Sequence, residues 1–426
     1  MEKAGKFLKA NGLIASDTDA GKLIDVFLSD MEKGLRGEPD SLRMIPTYIE
    51  ADNEFLKDTP VIAIDAGGTN FRCSLVSFTS RGKLQMDGIR NFGMPGLERE
   101  VSKKEFFDVM ARYISPYVSK SDRIGFCFSY PTEIFPDKDG RLLQFCKEVQ
   151  APEVIGQTIG KSLLEALGTP EKKIVLLNDT VATLLAGKSA AFSKTYDSYI
   201  GFILGTGTNM CYIESNRNII KNRELDPAGS MIINIESGNF GKAPRTGLDI
   251  AFDLTTMNPD NYTLEKMFSG GYFGGLCLFI LKKAAEEGVF SDQAAEALMK
   301  ISELTSEQAG SFVENSGKEN ILFECFTTRE DIISAVTIID NMINRSARLV
   351  AASMAAVVLK TGKGIYPEKP ILVTIEGTTF YKLFRLKERF EKYFFEILDG
   401  DRKRYVEFTE VPQSSLIGAA LAGLID

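Results

Sequence analysis

One structural pattern occurs twice in the sequence: an apolar strand, a glycine-rich turn and a second apolar strand. The first copy is VIAIDAGGTNFRCSLVSF at residues 61–78, and the second is SYIGFILGTGTNMCYIE at residues 198–214. Both copies contain Gly-Thr-Asn shortly before a cysteine, at residues 68–70 and at residues 207–209. Because two such triplets in matching strand contexts are hard to obtain by chance, the repeat predicts two lobes of related design that face a shared cleft.

The rest of the chain alternates between strand and helix patterns. Helical periodicity covers the N-terminal segment and ends near Pro46, and strands and helices alternate from Thr59 onward. One of these strands is predicted at residues 86–92. After Asp249 the chain becomes helix-rich, with a long apolar stretch at 329–360 and a last strand at 371–379. This order predicts an α/β fold with partly parallel sheets, and 426 residues favour two lobes over a single core.

Composition excludes several kinds of catalysis. The chain has no histidine, which removes Ser-His-Asp and Cys-His catalysis, His-ligated zinc and imidazole acid–base chemistry. A general base in this protein is therefore expected to be a carboxylate. The chain also has no tryptophan, so a bound sugar or nucleobase is expected to be held by polar groups rather than by an indole ring.

Composition also limits the partners and the location that we expect. The formal net charge of −8 argues against nucleic-acid binding, which needs a clustered basic face. The N-terminal residues have no apolar signal region, and no run of about 18 apolar residues occurs, so we expect no membrane insertion and a cytoplasmic protein. The six cysteines show no Cys-x-x-Cys spacing and are predicted to be reduced core residues.

The first glycine-rich turn does not match the common phosphate loops. A Walker loop or a dinucleotide-binding turn runs into a helix, whereas FRCSLVSF after Gly68 alternates as a strand, so the turn is predicted to be a hairpin. Glycines at such a turn let backbone N–H groups reach phosphate oxygens, although a lone copy is better explained as an ordinary hairpin. Asp65 ends the preceding buried strand, where a carboxylate suits the Mg²⁺ that bridges nucleotide phosphates. With the second copy, the functional interpretation is favoured.

Asn178 and Asp179 lie where the strand KIVLL meets a helix. One interpretation is structural, because Asn and Asp are favoured helix N-caps. The other is that Asp179 is the general base, which accepts the proton of a substrate hydroxyl as that oxygen attacks a γ-phosphoryl group. A chain without histidine offers few competitors for this role.

Three further polar residues have a structural and a functional interpretation. Ser129 either donates to a ligand hydroxyl or caps the end of a strand. Glu236 lies among apolar and small residues, where an unpaired carboxylate is costly, and Glu265 at a helix start also complements the helix dipole. A pair of buried glutamates suits the vicinal hydroxyls of a hexose, and spacing alone leaves both interpretations open.

An ordered set of motifs extends along nearly the whole chain. They are MIPTYI (44–49), IDAGGTNFR (64–72), FSYP (128–131), LLNDTVATL (176–184), LGTGTN (204–209), INIESGNFG (233–241) and EKMFSGGYFG (265–274). Together they resemble the hexokinase family of the actin-like ATPase superfamily. The resemblance implies an α/β, two-lobed actin-like ATPase (ribonuclease H-like) fold with a duplicated β-sheet core and an interlobe cleft.

The resemblance also implies an activity: ATP-dependent phosphorylation of the 6-hydroxyl of a hexose with Mg²⁺, the first step of glycolysis. Glucose is the first hexose expected, with mannose and fructose as alternatives. The expected partners are therefore a hexose and ATP, without nucleic acid or membrane, in a monomer or homodimer. A catalytically silent sugar sensor, an actin-like assembly protein and a kinase of glycerol or acetate are the alternatives that share the fold.

Each matching position receives a role from the resemblance. Asp179 falls on the catalytic base, and Asp65 falls on the metal side of the phosphates. The sugar-contacting positions are Ser129, Lys147, Asn178, Asn209, Glu236 and Glu265. The nucleotide positions are Asp65, Gly67, Gly68, Thr69, Asn70, Arg72, Thr206, Gly207, Gly377 and Thr378.

The resemblance further implies lobe boundaries. Residues 55–178, completed by the C-terminal helix 414–426, are predicted to form the small lobe, and residues 1–54 and 179–413 the large lobe. The chain departs from the family pattern at three places: Phe145-Cys146-Lys147-Glu148 replaces Trp-Thr-Lys-Gly, Ser237 replaces an aromatic residue, and Ser414–Gly418 replaces Gly-Ser-Gly-x-Gly. These departures leave the preferred hexose and the nucleotide-side contacts open.

Overall fold

Two mixed β-sheets form the centre of the molecule in the computed structural model, which describes residues 2–50, 54–145, 149–190, 194–315 and 320–425. The strands are β1 (Ile45–Pro46), β2 (Val61–Gly67), β3 (Asn70–Phe78), β4 (Leu84–Met86), β5 (Arg90–Gly93), β6 (Arg123–Phe128), β7 (Thr132–Ile134), β8 (Gly140–Leu142), β9 (Lys173–Leu177), β10 (Ser198–Leu204), β11 (Thr208–Ser215), β12 (Ser230–Asn234), β13 (Ile371–Glu376) and β14 (Val406–Thr409).

The α-helices surround these sheets and carry most of the second half of the chain. They are α1 (Glu2–Ala10), α2 (Ala20–Arg36), α3 (Lys103–Val118), α4 (Ile159–Leu167), α5 (Asp179–Ala190), α6 (Gly247–Asp253), α7 (Phe273–Glu286), α8 (Asp292–Met299), α9 (Ser306–Glu314), α10 (Ile321–Cys325), α11 (Arg329–Thr361), α12 (Thr378–Lys382), α13 (Leu386–Ile397) and α14 (Ser414–Leu424).

The two sheets repeat one design. The first has the order β4-β3-β2-β6-β9, with β5 also paired to β3, and the second has the order β1-β12-β11-β10-β13-β14. In the first sheet, β2 pairs antiparallel with β3 and parallel with β6, which pairs parallel with β9. In the second, β10 pairs antiparallel with β11 and parallel with β13, which pairs parallel with β14. This confirms the predicted α/β fold with a duplicated sheet.

Each copy of the repeated pattern forms a hairpin. In the first, Gly67 pairs with Asn70, so the turn is Gly68-Thr69, and Gly68 has the left-handed φ of 56° that such a turn favours. In the second, Leu204 pairs with Thr208 around a three-residue turn. Both turns therefore join antiparallel strands rather than a strand and a helix.

The helices α5 and α14 pack against each other between the sheets. Their side chains form one buried apolar cluster with residues of β2, β3, β6, β11 and β12. The packing needs glycine, because a Cβ at Gly418 would lie 1.9 Å from the carbonyl oxygen of Ala182, and one at Gly125 would lie 1.7 Å from that of Ala419. Helix α5, which begins at Asp179, is thus fixed between both sheets.

Helix α11 is the central helix of the larger apolar cluster. By length and composition alone this helix could cross a membrane. However, 83% of its most apolar 18-residue segment is buried inside the protein, as in the core helix of a globular fold. Five cysteines, Cys73, Cys127, Cys211, Cys277 and Cys325, are buried and free, as predicted, and Cys146 lies outside the described residues.

Three details of the secondary-structure prediction were wrong. The N-terminal helical segment ends at Arg36 rather than near Pro46, because Gly37 closes α2 in the left-handed conformation. The strand predicted near residues 86–92 is two short strands, β4 and β5, separated at Gly88 with φ 63°. The strand β13 is not the last, because β14 adds a parallel edge strand beside it.

Candidate active site

The first turn places Asp65 opposite Arg72 in the β2–β3 hairpin. An Arg72 guanidinium nitrogen lies 3.5 Å from Oδ2 of Asp65. Burial raises the pKa of Asp65 to about 6, against the opposing charge of Arg72, and the nearby Asp179 carboxylate adds to the rise. The strand was expected to end at Asp65, but β2 continues to Gly67 because Ala66 and Gly67 still pair with β3. Asp65 is therefore held in a partly desolvated position two residues before the end of the strand.

Ser129 and Tyr130 follow β6 and lie against the same turn. The backbone N–H of Ser129 donates to the carbonyl oxygen of Ala66 at 2.9 Å, and a Cβ at Gly67 would lie 2.7 Å from Cβ of Ser129. The Tyr130 hydroxyl donates to the carbonyl oxygen of Gly68 at 2.8 Å. Gly67 is thus needed for the close approach of Ser129, and Tyr130 is a turn contact that sequence reasoning missed.

The second turn, at residues 205–207, is joined to two other segments. The N–H groups of Gly270 and Gly271 donate to the carbonyl oxygens of Gly205 and Thr206 at 2.8 and 2.9 Å. A Cβ at Gly377, whose φ is 123°, would lie 2.3 Å from the Leu204 carbonyl oxygen. The predicted nucleotide residues Thr206, Gly207 and Gly377 therefore lie close together, and Thr378 follows Gly377 in the chain.

Asp179 begins α5 directly after β9. The backbone N–H of Thr180 lies 2.9 Å from Oδ1 of Asn178 and 2.8 Å from Oδ1 of Asp179. Burial raises the pKa of Asp179, while hydrogen bonds from Thr180 and with Ser129 oppose this rise. Asn178 therefore caps the helix, as its structural interpretation requires, and Asp179 is an oriented carboxylate with raised proton affinity.

The predicted sugar-contacting amide and acid of the second sheet belong to one hydrogen-bonded chain. The amide of Asn209 donates to Oδ1 of Asn234 at 2.7 Å, and the amide of Asn234 donates to Oε1 of Glu236 at 2.8 Å. Glu236 has a left-handed φ of 60°, and burial raises its pKa. Asn234 was not predicted as a site residue. It lies on β12 and Asn209 lies on the neighbouring strand β11, so their contact depends on strand pairing and not on a local motif.

Glu265 lies against the second turn. Its Oε2 accepts a hydrogen bond from the backbone N–H of Thr208 at 2.9 Å. Burial raises the pKa of Glu265 to about 7, and the charge of Glu236 adds to this rise. The two predicted sugar-side glutamates are therefore electrostatic neighbours.

Acidic side chains from both sheets converge on Asp179. Burial is the main cause of the raised pKa of Asp65, Glu236 and Glu376, and the negative charge of Asp179 adds to it in each case. Glu376, which ends β13 just before Gly377, was missed by the sequence reasoning. The available signal was the one used for Asp65: an acid that ends a buried strand beside a Gly-Thr turn.

The predicted residue Lys147 lies outside the described residues. Among the other predicted site residues of the first half, Thr69, Asn70 and Arg72 lie on or beside the β2–β3 turn, and Asn178 and Asp179 lie where β9 meets α5. In the second half, Thr206 and Gly207 lie on the 205–207 turn, Asn209 lies on β11, and Gly377 and Thr378 follow β13. Glu236 and Glu265 are placed by their contacts with Asn234 and Thr208.

Two sheets of one design, each with a glycine-rich hairpin turn, define an actin-like ATPase fold. Residues 10–189 and residues 199–425 each match a family model described as Hexokinase. Hexokinase-1 of Schizosaccharomyces pombe is 30% identical over 432 residues, which cover 95% of this chain and 87% of that protein. Hexokinase-3 of Oryza sativa subsp. japonica is 27% identical over 438 residues, covering 95% and 86%. The chain belongs to the hexokinase family.

The solved structures agree with this fold. The hexokinase from Schistosoma mansoni complexed with glucose superposes with a TM-score of 0.79 at 21% identity, covering 99% of both chains. Membership of the family makes this protein a hexokinase enzyme, which phosphorylates sugar, and the family implies ATP as its second substrate.

Proposed function

We propose that this hexokinase transfers the γ-phosphoryl group of Mg·ATP to the 6-hydroxyl of a hexose, with Asp179 as the general base. The observation that carries the proposal is the position of Asp179 at the start of α5, within the electrostatic reach of carboxylates from both sheets. Glucose is the first hexose to test, because the Schistosoma mansoni hexokinase of the same fold is complexed with glucose.

The proposed base is oriented by its own helix. Thr180 donates its backbone N–H to Oδ1 of Asp179, and the carboxylate also hydrogen-bonds with Ser129, so it is held in a defined orientation in which it can accept the proton of a substrate hydroxyl. Because burial raises its pKa, the carboxylate is a stronger base than an exposed aspartate. Proton removal from the 6-hydroxyl in the transition state makes that oxygen the nucleophile toward the γ-phosphorus.

We propose that the sugar is held by Ser129, Lys147, Asn178, Asn209, Glu236 and Glu265. Buried carboxylates are strong acceptors for sugar hydroxyls, and a hydroxyl that donates to Glu236 or Glu265 offsets the desolvation that raises their pKa. The hydrogen bonds from Asn234 to Glu236 and from Thr208 to Glu265 hold both carboxylates in place before the sugar binds.

We propose that both turns and the 377–378 segment hold ATP, with Asp65 toward Mg²⁺. Among the described residues no group of three or more acidic or cysteine side chains is arranged to hold a metal ion. Mg²⁺ in kinases is bound by one or two carboxylates together with phosphate oxygens and water, so the single carboxylate of Asp65 beside the first turn fits this ion. The ion neutralises charge that develops on the phosphates when it is bound.

We also propose that the small lobe comprises residues 55–178 with 414–426, and the large lobe residues 1–54 with 179–413. The strands β2–β6 and β9 of the first sheet all lie in 55–178, and α14 packs on that sheet. The strands of the second sheet all lie in the remaining segments. Closure of these lobes on the sugar would exclude water from the phosphoryl group.

The test is a turnover panel with Mg·ATP and glucose, mannose, fructose, glycerol or acetate, in which ADP release is measured. We expect release with hexoses only. In Asp179→Asn we expect kcat to fall by about 10²–10⁴-fold, while hexose affinity measured by calorimetry stays within about twofold. The exposed Asp401→Asn variant is the control. Hexose binding without ADP release by the wild-type protein would indicate a sensor, and full turnover by Asp179→Asn would contradict the assigned base.

A further inference from the structure

Glu376 lies at a junction of three elements. It ends β13, and its carboxylate accepts a hydrogen bond from the hydroxyl of Ser414, the first residue of α14. The hydroxyl of Thr183 on α5 lies 3.3 Å from the same carboxylate oxygen and 3.3 Å from the Ser414 hydroxyl. Thr183 and Ser414 are both buried. A carboxylate on a strand of the second sheet therefore contacts both the helix that covers the first sheet and the helix that begins with Asp179.

The contact with α5 reaches the first turn of that helix. Thr183 lies one turn after Asp179, and its hydroxyl donates to the backbone carbonyl oxygen of Asp179 at 2.9 Å. Because Thr183 has a single hydroxyl proton, Glu376 and the Asp179 carbonyl compete for it. The position of Glu376 therefore influences how tightly the first turn of α5, with its carboxylate, is held.

The same residue borders the nucleotide side. Gly377 follows directly and packs on Leu204, and the Thr379 hydroxyl donates to the carbonyl oxygen of Gly205 at 2.8 Å. A displacement of Glu376 therefore displaces the segment that packs on the second turn.

A negative charge at Glu376 destabilises the folded protein. Burial raises its pKa to about 7, and the charges of Asp179 and Asp65 add to the rise, while Thr183 and the more distant Arg72 oppose it. A neutral amide would accept the same hydrogen bonds from Ser414 and Thr183 without this repulsion. The negative charge is therefore not required to hold these elements together, since an amide would make the same hydrogen bonds.

We propose that Glu376 is a positioning residue for phosphoryl transfer, which links the nucleotide-side turn to the base through Ser414 and Thr183. The proposal rests on the proposed role of Asp179 as the base. In this arrangement β13, α14 and the first turn of α5 move as one unit, so a nucleotide seated on the 377–379 segment and the base keep a fixed relation during the transfer.

The test compares Glu376→Gln, Ser414→Ala and the double variant in the full-length protein. Each single variant is expected to lower kcat by about tenfold, the loss of one charge-assisted hydrogen bond that matters in the transition state. Hexose KM is expected to stay within about twofold, because no sugar contact is removed. Glu376→Gln removes the charge from the Ser414 hydrogen bond, and Ser414→Ala removes the hydrogen bond itself. Since both changes act on the same charge-assisted contact, the double variant is expected to have a kcat within about threefold of that of the less active single variant.

Two buried controls separate positioning from folding. Glu214 is a buried carboxylate on β11 that accepts from Tyr212 at 2.6 Å and pairs with Lys360 at 3.2 Å, and Ser346 is buried on α11. Glu214→Gln and Ser346→Ala are expected to lower the melting temperature without changing kcat of the folded protein. If Glu376→Gln and Ser414→Ala behave like these controls, the proposal is wrong.

The outcomes also separate this proposal from the assignment of the base. If Asp179→Asn loses turnover while Ser414→Ala and Glu376→Gln turn over like wild type, only the positioning role fails. If Asp179→Asn keeps full turnover, the proposed base fails first. Should Glu376→Gln not fold, Ser414→Ala and the isosteric Thr183→Val decide the question by the same split between kcat and hexose KM.

Discussion

The carboxylate of Glu265 and the backbone N–H of Thr208 are joined by a hydrogen bond of 2.9 Å. The same oxygen, Oε2, would lie 2.8 Å from a Cβ at Gly207, so the acid packs directly on the second turn. A residue proposed to bind sugar and a turn proposed to bind phosphate therefore share one contact. Under these two proposals, we expect sugar binding at Glu265 to position the phosphate turn through this contact.

The first prediction concerns the ionisation of Glu265. Its pKa is about 7 in the folded protein against an ordinary value of 4.5, so the folded state binds more protons than the unfolded state between these values. Stability is therefore lost as pH rises through this window. Glu265→Gln is expected to stabilise the free protein at pH 8 by on the order of 1–2 kcal/mol, after allowance for solvent screening.

Thermal unfolding of the free protein at pH 5 and pH 8 checks this prediction. Wild type and Glu265→Gln are expected to differ at pH 8 and to agree near pH 5, while hexose KM rises by at least about tenfold in the variant. The exposed Glu303→Gln variant serves as the control. An unchanged pH dependence in Glu265→Gln would show that this carboxylate does not titrate near neutrality.

Local motifs made part of the site predictable from the sequence. The hairpin at Gly68-Thr69 and the start of α5 at Asp179 follow from residues that are adjacent in the chain, and both were predicted. The end of α2 was also readable, because Gly37 supplies the left-handed cap that the prediction of a helix up to Pro46 overlooked.

Contacts between distant segments were not predictable in this way. Asn234 joins Asn209 to Glu236, and Ser414 meets Glu376 only because α14 returns to the first sheet. No local pattern encodes such pairings, since they depend on sheet order and helix packing. Glu376 was partly predictable. Its position just before Gly377 resembles that of Asp65 before the first turn, but its contacts with Ser414 and Thr183 could not be read from the sequence.

The second prediction concerns Gly67. Its φ is not left-handed, so alanine is acceptable to the backbone, but the added Cβ would lie 2.7 Å from Cβ of Ser129. Gly67→Ala is expected to push Ser129 and the first turn apart and to lower kcat/KM for both substrates by about 10²-fold, as for a displacement of about 1 Å at a reacting centre. Steady-state kinetics with each substrate varied measures this loss.

Gly5→Ala is the matched control for Gly67→Ala. Gly5 lies in α1, where a Cβ meets nothing within 4 Å, so the same chemical change is expected to leave kcat unchanged and to raise stability slightly. Wild-type kinetics in Gly67→Ala would mean that the approach of Ser129 to the turn is not required.

The third prediction concerns the buried ion pair between Arg345 and Asp249. The two guanidinium nitrogens donate to Oδ1 and Oδ2 at 2.9 and 2.6 Å, and both side chains are buried. Asp249→Ala leaves the Arg345 charge without its partner and removes a helix cap, so the free energy of unfolding is expected to fall by about 3–5 kcal/mol. Chemical denaturation measures this change.

The exposed ion pair between Lys6 and Glu2, at 2.6 Å, is the control for Asp249→Ala. Glu2→Ala is expected to change the free energy of unfolding by less than about 1 kcal/mol. A loss in Asp249→Ala no larger than in Glu2→Ala would contradict the importance of the buried pair, while kcat of the remaining folded protein is expected to stay at the wild-type value.

The fourth prediction concerns Asp65 and the metal. Asp65→Asn keeps the size of the side chain but removes the negative charge that a hard cation prefers. The Mg²⁺ concentration that gives half-maximal velocity is therefore expected to rise by about tenfold or more, while hexose affinity measured by calorimetry without nucleotide stays unchanged. Asp58→Asn, an exposed acid in the segment before β2, is the control. An unchanged Mg²⁺ requirement in Asp65→Asn would remove this residue from the metal side, and the Arg72 contact at 3.5 Å would then be its main role.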